Sequence, residues 1–219
     1  MHESVKKYNN IVNSIERELE GQKNILFPKI IAVSKTFQLE QIIPLIEHGH
    51  LDYGENKVQE ALDKWSEIKK KNPKIKLHLI GGLQTNKVKF ALRIFDYIHS
   101  VDSKKLAKKI ADEQQKQDVK PKIFIQINVG EESQKSGIMK KNLVEFYNFS
   151  KSLGLNIIGT MCIPPFDEDS SIFFPEMHEL NQKINLSELS MGMSSDYLNA
   201  VEHKSTYLRI GSSIFGQRG

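Results

Sequence analysis

The sequence predicts an α/β protein that folds as a single (β/α)8 barrel of the TIM type, preceded by a lead-in helix. Short apolar runs that are typical of strands alternate with amphipathic helical patterns from residue 29 onwards, and eight such units can be counted. No low-complexity linker or composition shift interrupts the 219 residues. Because strands that alternate with helices form a parallel sheet, eight units most naturally close on themselves. We therefore expect one domain over residues 1–219, and an open doubly wound sheet is the structural alternative.

The first two elements have the clearest patterns. Apolar side chains recur at helical spacing over residues 4–19, which predicts an amphipathic helix. Residues 29–37 read K-I-I-A-V-S-K-T-F and contain an apolar run, rich in β-branched side chains, that ends at Ser34. Such a run is typical of a strand that is buried on both faces, as in parallel sheets. The first barrel strand therefore ends just before Lys35.

The other elements follow in strict alternation. Apolar runs bounded by turn residues predict strands at 51–53, 76–80, 97–99, 122–129, 155–160, 186–190 and 207–210. Apolar side chains at a period near 3.6 predict helices at 39–48, at 57–70, up to 95, up to 114, at 140–153, at 172–183 and shortly after 196. Gly49 follows the second helix, in the position of a C-terminal cap.

The composition excludes several classes of protein. Charged residues make up 26% and hydrophobic ones 39%, which is ordinary for a globular domain with a sizeable core. The net charge is +4, but lysines are interspersed with acidic residues along the helices, so we expect no nucleic-acid partner. The single cysteine, Cys162, suits a reducing cytoplasm. The N-terminus lacks a signal-peptide core and no apolar run reaches bilayer length, so we expect a cytoplasmic protein without a membrane partner.

Polar residues cluster where the predicted strands end. In TIM barrels the active site lies at the carboxyl ends of the strands, in the loops that lead to the helices. The residues at these positions are Lys35, Glu55, Asn56, His78, Gln84, Asn86, Asp102, Asn128, 190–196 and 209–213. The sequence therefore predicts a functional site on this rim of the barrel.

Lys35 is the first candidate within that rim. Lysine is almost never fully buried without a partner, so its position directly after a buried strand is unusual. An amine that is sheltered from water is suited to forming a Schiff base with an aldehyde. The alternative is a surface lysine whose aliphatic stem covers apolar neighbours.

Two loops rich in glycine and serine are the second candidate. Ser194 lies in M-G-M-S-S-D after the seventh strand, and Gly211 and Ser212 lie in R-I-G-S-S-I-F-G after the eighth. The loops after strands seven and eight of TIM barrels frequently hold a phosphate on backbone N–H groups and hydroxyls. The alternatives are a glycine turn that closes the barrel and ordinary helix capping.

A Schiff-base lysine and a phosphate site at one barrel mouth together fit a phosphorylated aldehyde. Both pyridoxal 5′-phosphate (PLP) and a sugar-phosphate aldehyde or ketone belong to this class. Arg209 favours PLP weakly, because a guanidinium can hydrogen-bond the pyridine nitrogen of that cofactor. The alternative for Arg209 is an ion pair inside the barrel.

Motifs along nearly the whole chain resemble those of the pyridoxal phosphate homeostasis proteins. The eight motifs, in order, are A-V-S-K-T, G-E-N-K-V-Q-E, H-L-I-G-G-L-Q-T-N-K, H-S-V-D, Q-I-N-V-G-E-E-S-Q-K-S-G, G-T-M-C-I-P, L-S-M-G-M-S-S-D-Y and L-R-I-G-S-S-I-F-G-Q-R. Each motif alone is weak evidence for the family, whereas the eight motifs in this order are specific to it. The resemblance implies a fold type III PLP-binding barrel, similar to the N-terminal domain of alanine racemase.

The resemblance also implies a set of cofactor-binding residues and no metal ligand. The set consists of Lys35, Asn56, His78, Ser194, Arg209, Gly211 and Ser212. Lys35 matches the Schiff-base lysine, and Arg209 matches the arginine near the pyridine nitrogen. Lys135 matches a lysine of the rim, for which a solvated loop cation is the alternative. The chain departs from the family pattern at Phe37, where many members have a second lysine, at Gly82, where proline is common, and at His203-Lys204.

The function implied by the resemblance is that of a non-enzymatic carrier. Such a protein would hold PLP as a Schiff base on Lys35 and buffer or supply it to PLP-dependent apo-enzymes, in vitamin B6 and amino-acid homeostasis. The alternatives are a PLP-dependent racemase or decarboxylase and a Schiff-base sugar-phosphate aldolase. Racemases of this fold add a second catalytic group from a further domain, and this sequence stops nine residues after the last strand, which favours the carrier. We also expect a monomer, because no exposed apolar stripe is evident.

Overall fold

The described residues, 1–22 and 26–217 of a computed structural model, contain eight parallel strands that pair in chain order and close where the last strand pairs with the first. The strands are β1 (Lys29–Val33), β2 (Asp52–Glu55), β3 (Lys76–Leu79), β4 (Tyr97–Val101), β5 (Lys122–Ile127), β6 (Asn156–Cys162), β7 (Glu188–Met193) and β8 (Tyr207–Ile210). The predicted (β/α)8 barrel is confirmed, and the open sheet is excluded. Arg218, in the last of the eight motifs, lies outside the described residues.

Helices connect successive strands and surround the barrel. They are α1 (Glu3–Leu19), α2 (Leu39–Glu47), α3 (Val58–Lys71), α4 (Val88–Ala91), α5 (Lys104–Gln117), α6 (Leu143–Ser152), α7 (Phe174–Lys183), α8 (Tyr197–Glu202) and α9 (Ser212–Phe215). The predicted lead-in helix is α1, which packs against α2, α8 and α9. Its buried residues include Val5, Ile11 and Ile15, whose spacing places them on one helical face.

Several predicted boundaries are shifted in the structure, and local hydrogen bonds explain two of the shifts. The helix predicted to reach residue 95 ends at Ala91, because Ile94 N–H donates to the Ala91 carbonyl and tightens the chain into a turn before β4. The strand predicted at 186–190 begins at Glu188, because the carbonyl of Leu186 accepts from the Asn181 side chain at 2.8 Å and belongs to the turn after α7. The same strand continues past residue 190 to Met193.

Aromatic and histidine rings fill the barrel interior. One buried cluster consists of Ile31, Tyr97, Phe124, Met161 and Tyr207. His78 stacks on the Tyr97 ring with centroids 4.1 Å apart, and His99 stacks on the Phe124 ring at 4.3 Å. The rings of Tyr97 on β4 and Tyr207 on β8 lie 5.8 Å apart although these strands are not neighbours. The interior is therefore packed with side chains, as in other barrels of this type.

Two further features bear on the class of protein. Across the described part of the chain, no helix is long and apolar enough to cross a membrane, and no group of three or more His, Cys, Asp or Glu side chains could hold a metal ion. Cys162 is fully buried on β6, and burial raises the pKa of its thiol to about 12. A thiol in this state is unreactive as a nucleophile.

His50 makes the stability of the fold sensitive to acid. Its Nε2 lies 2.8 Å from the Asp52 carbonyl, and burial lowers the pKa of the imidazole from 6.5 to about 4. Between these values the unfolded chain binds a proton that the folded chain does not, so this contribution to stability is lost as the pH falls from 6.5 towards 4. We expect acidification from about pH 7 to about pH 5 to lower the free energy of unfolding by roughly 2 kcal/mol through His50.

Urea denaturation of the wild type and of His50→Gln at both pH values measures this effect. The glutamine amide can still donate to the Asp52 carbonyl, but it does not titrate. The change in stability between the two pH values should be smaller in the variant by roughly 2 kcal/mol. An equal change in both proteins would contradict the prediction.

Candidate functional site

A cavity of about 610 Å³ opens at the carboxyl ends of β1, β2, β7 and β8, and we call it the mouth cavity. Six of the predicted site residues line it, namely Lys35, Asn56, Ser194, Arg209, Gly211 and Ser212. The other residues of its wall are Val33, Phe37, Ile80, Ile163, Met193, Ser195, Gly216 and Gln217. Its volume lies within the range that is common for small-molecule sites. The structure thus brings the residues of strand one and of the last two strands to one site.

Glu55 supports the end of the strand that carries Lys35. It was predicted on the rim, but its side chain is fully buried beneath the rim, where it packs against α3. Its Oε1 accepts from the Ser34 hydroxyl at 2.8 Å, the Trp65 indole at 2.9 Å and the Lys64 ammonium at 3.0 Å. Burial raises the pKa of Glu55, although these donors oppose the shift. Lys64 also donates to the Ser34 carbonyl at 2.8 Å, so the residue before Lys35 is held through both backbone and side chain.

The residue after Lys35 is held in an unusual conformation. Thr36 has φ of 67°, in the left-handed region that a β-branched residue rarely adopts. Its backbone N–H donates to Glu60 Oε1 on α3 at 2.6 Å. Lys35 itself is partly buried at the cavity wall. The backbone is therefore fixed on both sides of Lys35, and this restricts the directions in which its side chain can point.

The loops after β7 and β8 meet around one oxygen atom. The Ser194 hydroxyl oxygen accepts from the backbone N–H groups of Gly211 and Ser213, each at 3.3 Å. We call these three groups the oxygen site. Both hydrogen bonds are longer than is usual for N–H···O contacts. The arrangement shows two N–H groups that converge on an oxygen acceptor at the wall of the mouth cavity.

Arg209 is buried on β8, with 4% of its surface exposed. Its Nη1 donates to the carbonyl of Ser190 at 2.6 Å and to the hydroxyl of Ser190 at 2.7 Å, and its Nη2 donates to the Cys162 carbonyl at 2.7 Å. Burial lowers the pKa of the guanidinium, which nevertheless remains charged in proteins. Its partners are thus carbonyl and hydroxyl oxygens, and not the carboxylate of an interior ion pair.

The structure does not bring His78 to the mouth cavity. Its side chain is fully buried in the barrel interior, where its Nε2 lies 3.0 Å from Asp52 Oδ1 and its Nδ1 lies 3.0 Å from His99 Nε2. Ile80 lies two residues later, on the same side of the chain, and does line the cavity. The structure therefore places His78 one layer below the residues that line the mouth cavity.

The loop after β5 is organised separately. The Asn128 amide donates to the Glu132 carbonyl at 2.7 Å, and Asp102 accepts from Gly137 N–H at 3.3 Å. Lys135 lies on this loop in an ion pair with Glu132. These residues are not among those that line the mouth cavity. The geometry fits a structural role for them.

Gly81 lets the loop after β3 pass close to Asn56. A Cβ at residue 81 would lie 2.5 Å from the Asn56 carbonyl oxygen and 2.9 Å from its Cα, whereas a Cβ at Gly82 would meet nothing within 4 Å. We expect Gly81→Ala to lower the free energy of unfolding by about 1–3 kcal/mol, because backbone must move to admit the methyl group. Gly82→Ala is the matched control, and it should be neutral or stabilising by up to about 1 kcal/mol. Urea denaturation compares the two, and equal stabilities would contradict this account.

Known proteins similar to this chain were found by sequence and by structure. Residues 12–219 match the family model described as alanine racemase, N-terminal domain. The chain is 37% identical over 200 residues to the pyridoxal phosphate homeostasis protein of Aquifex aeolicus, covering 87% of each chain. It is 38% identical over 213 residues to the human protein of the same name, covering 87% of this chain and 77% of that one. The structure of PipY from Synechococcus elongatus with PLP bound is similar at a TM-score of 0.80 and 32% identity, covering 92% of this chain and 100% of that one.

Proposed function

The chain belongs to the pyridoxal phosphate homeostasis protein family, and from this premise we propose that it binds PLP in the mouth cavity and holds it for transfer to PLP-dependent apo-enzymes. One observation carries the proposal. A partly buried lysine and a buried arginine line the same cavity, and the backbone N–H groups of Gly211 and Ser213 converge on Ser194 at its wall. The amine can react with an aldehyde, the guanidinium can donate to a pyridine nitrogen, and the backbone N–H groups can donate to a phosphate.

The chemistry of the cavity fits the phosphate group of PLP. The N–H groups of Gly211 and Ser213 converge on the Ser194 oxygen at 3.3 Å, so an oxygen acceptor already lies where they meet. A phosphate oxygen carries more negative charge and forms shorter, stronger hydrogen bonds with such donors. Ser212 lines the same cavity. We therefore assign the phosphate to the oxygen site and to Ser212.

The remaining residues of the cavity fit the aldehyde and the pyridine ring of PLP. Bound PLP supplies an aldehyde carbon, to which the Lys35 amine forms a C=N bond with release of water. Arg209 is held by three hydrogen bonds to fixed oxygens, so its orientation is set before any ligand arrives. We assign Arg209 to the pyridine nitrogen and Asn56 to the wall beside the ring.

The residues of the cavity wall support a carrier over a racemase. Among the described residues that line the mouth cavity, the ionisable side chains are those of Lys35 and Arg209, and the others are apolar or neutral. Racemisation requires a proton donor and a proton acceptor on opposite faces of the substrate, and Arg209 does not exchange protons near neutral pH. An arginine at the pyridine nitrogen also weakens the electron sink that carbanion chemistry needs. Storage and transfer of PLP need neither group.

Transfer of PLP to an apo-enzyme tests the proposal. Protein loaded with PLP and freed of excess ligand is mixed with a PLP-dependent apo-enzyme, and the recovery of activity is followed. We expect activity to return in proportion to the PLP carried, while chiral chromatography detects no racemisation of common amino acids by the carrier. Racemisation at about 1 s⁻¹ or faster, a rate ordinary for enzymes, would contradict the proposal.

The same proposal includes a single-domain monomer in the cytoplasm. A closed barrel has no free sheet edge with which a second copy could pair. The buried, unreactive thiol of Cys162 is compatible with a reducing compartment. Light scattering coupled to gel filtration should give the mass of one chain, 25.1 kDa, and a mass twice as large would contradict the monomer.

A further inference from the structure

A continuous row of hydrogen bonds crosses the barrel interior from Arg209 to the opposite face. Arg209 Nη1 lies 2.7 Å from Ser190 Oγ, and Ser190 Oγ lies 2.9 Å from His99 Nδ1. His99 Nε2 lies 3.0 Å from His78 Nδ1, and His78 Nε2 lies 3.0 Å from Asp52 Oδ1. The five residues come from five different strands, and we call them the interior relay.

The chemistry of its two ends gives the relay a single direction. Arg209 can only donate and an ionised Asp52 can only accept. An ionised Asp52 therefore accepts from His78 Nε2–H, and a neutral His78 accepts on Nδ1 from His99 Nε2–H. A neutral His99 then accepts on Nδ1 from the Ser190 hydroxyl, whose oxygen accepts from Arg209. Each of the four hydrogen bonds thus receives one proton, with both imidazoles neutral.

Burial agrees with this assignment of protons. His78 and His99 are both fully buried, and burial lowers the pKa of His78 and holds the pKa of His99 well below its usual value. Burial alone would raise the pKa of Asp52, but the hydrogen bond from His78, with smaller effects of nearby groups such as Lys29, brings it below its usual value. The relay therefore joins a positive group at one end to a negative group at the other through neutral rings.

Each end of the relay faces a different cavity. Arg209 lines the mouth cavity, whereas Asp52 lines a second cavity of about 490 Å³ beside Lys29 and His50, at the amino ends of the strands. Hydrogen bonds in series polarise one another in a low-dielectric interior. We therefore expect a change of charge at Asp52 to alter the polarisation of the hydrogen bonds up to Arg209, on the other side of the barrel.

We propose that Asp52, His78, His99 and Ser190 are positioning residues for Arg209, which they orient towards the mouth cavity through a one-way relay that ends at Asp52. This role gives His78 a function although it does not line the mouth cavity. Its effect on ligand binding rests on the proposed function, whereas the protonation pattern of the relay does not.

Nitrogen NMR of ligand-free wild-type protein labelled with ¹⁵N-histidine tests the protonation pattern. At neutral pH we expect His78 and His99 to be neutral, with the proton on Nε2 in both. A proton on Nδ1 of either ring, or a doubly protonated ring, would overturn the one-way relay. This experiment needs no PLP and no variant, so its outcome is independent of whether the protein binds the cofactor.

Asp52→Asn tests the effect on Arg209, because it removes the terminal charge but keeps an oxygen acceptor of the same size. We expect PLP to bind about fivefold more weakly, at the low end of the range for coupled sites. Asp96→Asn is the matched control, since Asp96 is a carboxylate on the same face that pairs with Lys69 at 2.6 Å and lies outside the relay. The affinity of Asp96→Asn for PLP should equal that of the wild type, and Asp52→Glu should restore PLP binding.

The outcomes of this second experiment separate the two proposals. Equal weakening in Asp52→Asn and Asp96→Asn, or none in either, would overturn the positioning role of the relay. Failure of the wild type to bind PLP would overturn the proposed function, and the NMR result would then still decide the protonation pattern on its own.

Discussion

Replacing Lys35 with alanine is expected to abolish covalent capture of PLP. The amine is the group of the cavity wall that can form a C=N bond, and it is placed there by a loop fixed at Ser34 and at Thr36. Protein incubated with PLP is reduced with borohydride, which makes the bond permanent, and is then examined by intact mass and peptide mapping. The wild type should gain one phosphopyridoxyl group on Lys35, and Lys35→Ala should gain none.

Lys57→Ala is the matched control for this experiment. Lys57 is an exposed lysine that precedes α3, near the mouth but outside its lining residues. Its loss should leave the single adduct on Lys35 unchanged. An adduct that persists in Lys35→Ala, or that maps to another lysine in the wild type, would show that PLP is held elsewhere. Capture of a sugar phosphate in place of PLP would favour the aldolase.

Replacing Glu55 with alanine is expected to lower the free energy of unfolding by about 2–4 kcal/mol. The carboxylate is fully buried, and its loss would leave the Lys64 ammonium, with 11% of its side chain exposed, with Glu60 as its remaining counter-charge. The indole N–H of Trp65 and the hydroxyl of Ser34 would also lose their acceptor. Chemical denaturation measures the loss of stability, and borohydride trapping measures the accompanying loss of capture at Lys35.

Glu67→Ala controls for removal of an acidic residue from the same region. Glu67 lies on α3 in an exposed ion pair with Lys70, and such solvent-screened pairs contribute little to stability. Its replacement should leave stability and capture close to those of the wild type. Comparable losses of stability in Glu55→Ala and Glu67→Ala would refute the anchoring role of Glu55.

The barrel and most of the site could be predicted because they depend on patterns local in sequence. Each apolar run is followed by its own helix, and parallel strands place all their carboxyl ends on one rim. Lys35 and Gly211 are far apart in the chain, yet each lies within two residues of a strand end, so closing the barrel is enough to bring them together. Arg209 is the last residue but one of β8 and reaches the same cavity.

Two rim residues that do not line the mouth cavity, Glu55 and His78, illustrate the importance of the direction in which a strand side chain points. Glu55 and His78 each lie at or near the end of a strand, but Glu55 packs outwards against α3 and His78 points into the barrel. Direction alternates along a strand, so an error of one residue in register exchanges the two faces. The contacts of His78 with Asp52 and His99 join three strands, and they cannot be predicted from a local pattern in the sequence. Phe37 lies in the apolar part of the wall of the mouth cavity, and its position there likewise depends on the closing of the barrel.

Trp65 gives the protein a built-in optical probe. It is the single tryptophan of the sequence, it is fully buried, and its indole N–H donates to the same Glu55 oxygen that holds the Ser34 hydroxyl. Indole fluorescence is sensitive to a carboxylate at hydrogen-bond distance, so its intensity should report any displacement of the backbone next to Lys35. Cofactor loading and release can thus be followed in real time by the emission of one native side chain, without an attached dye.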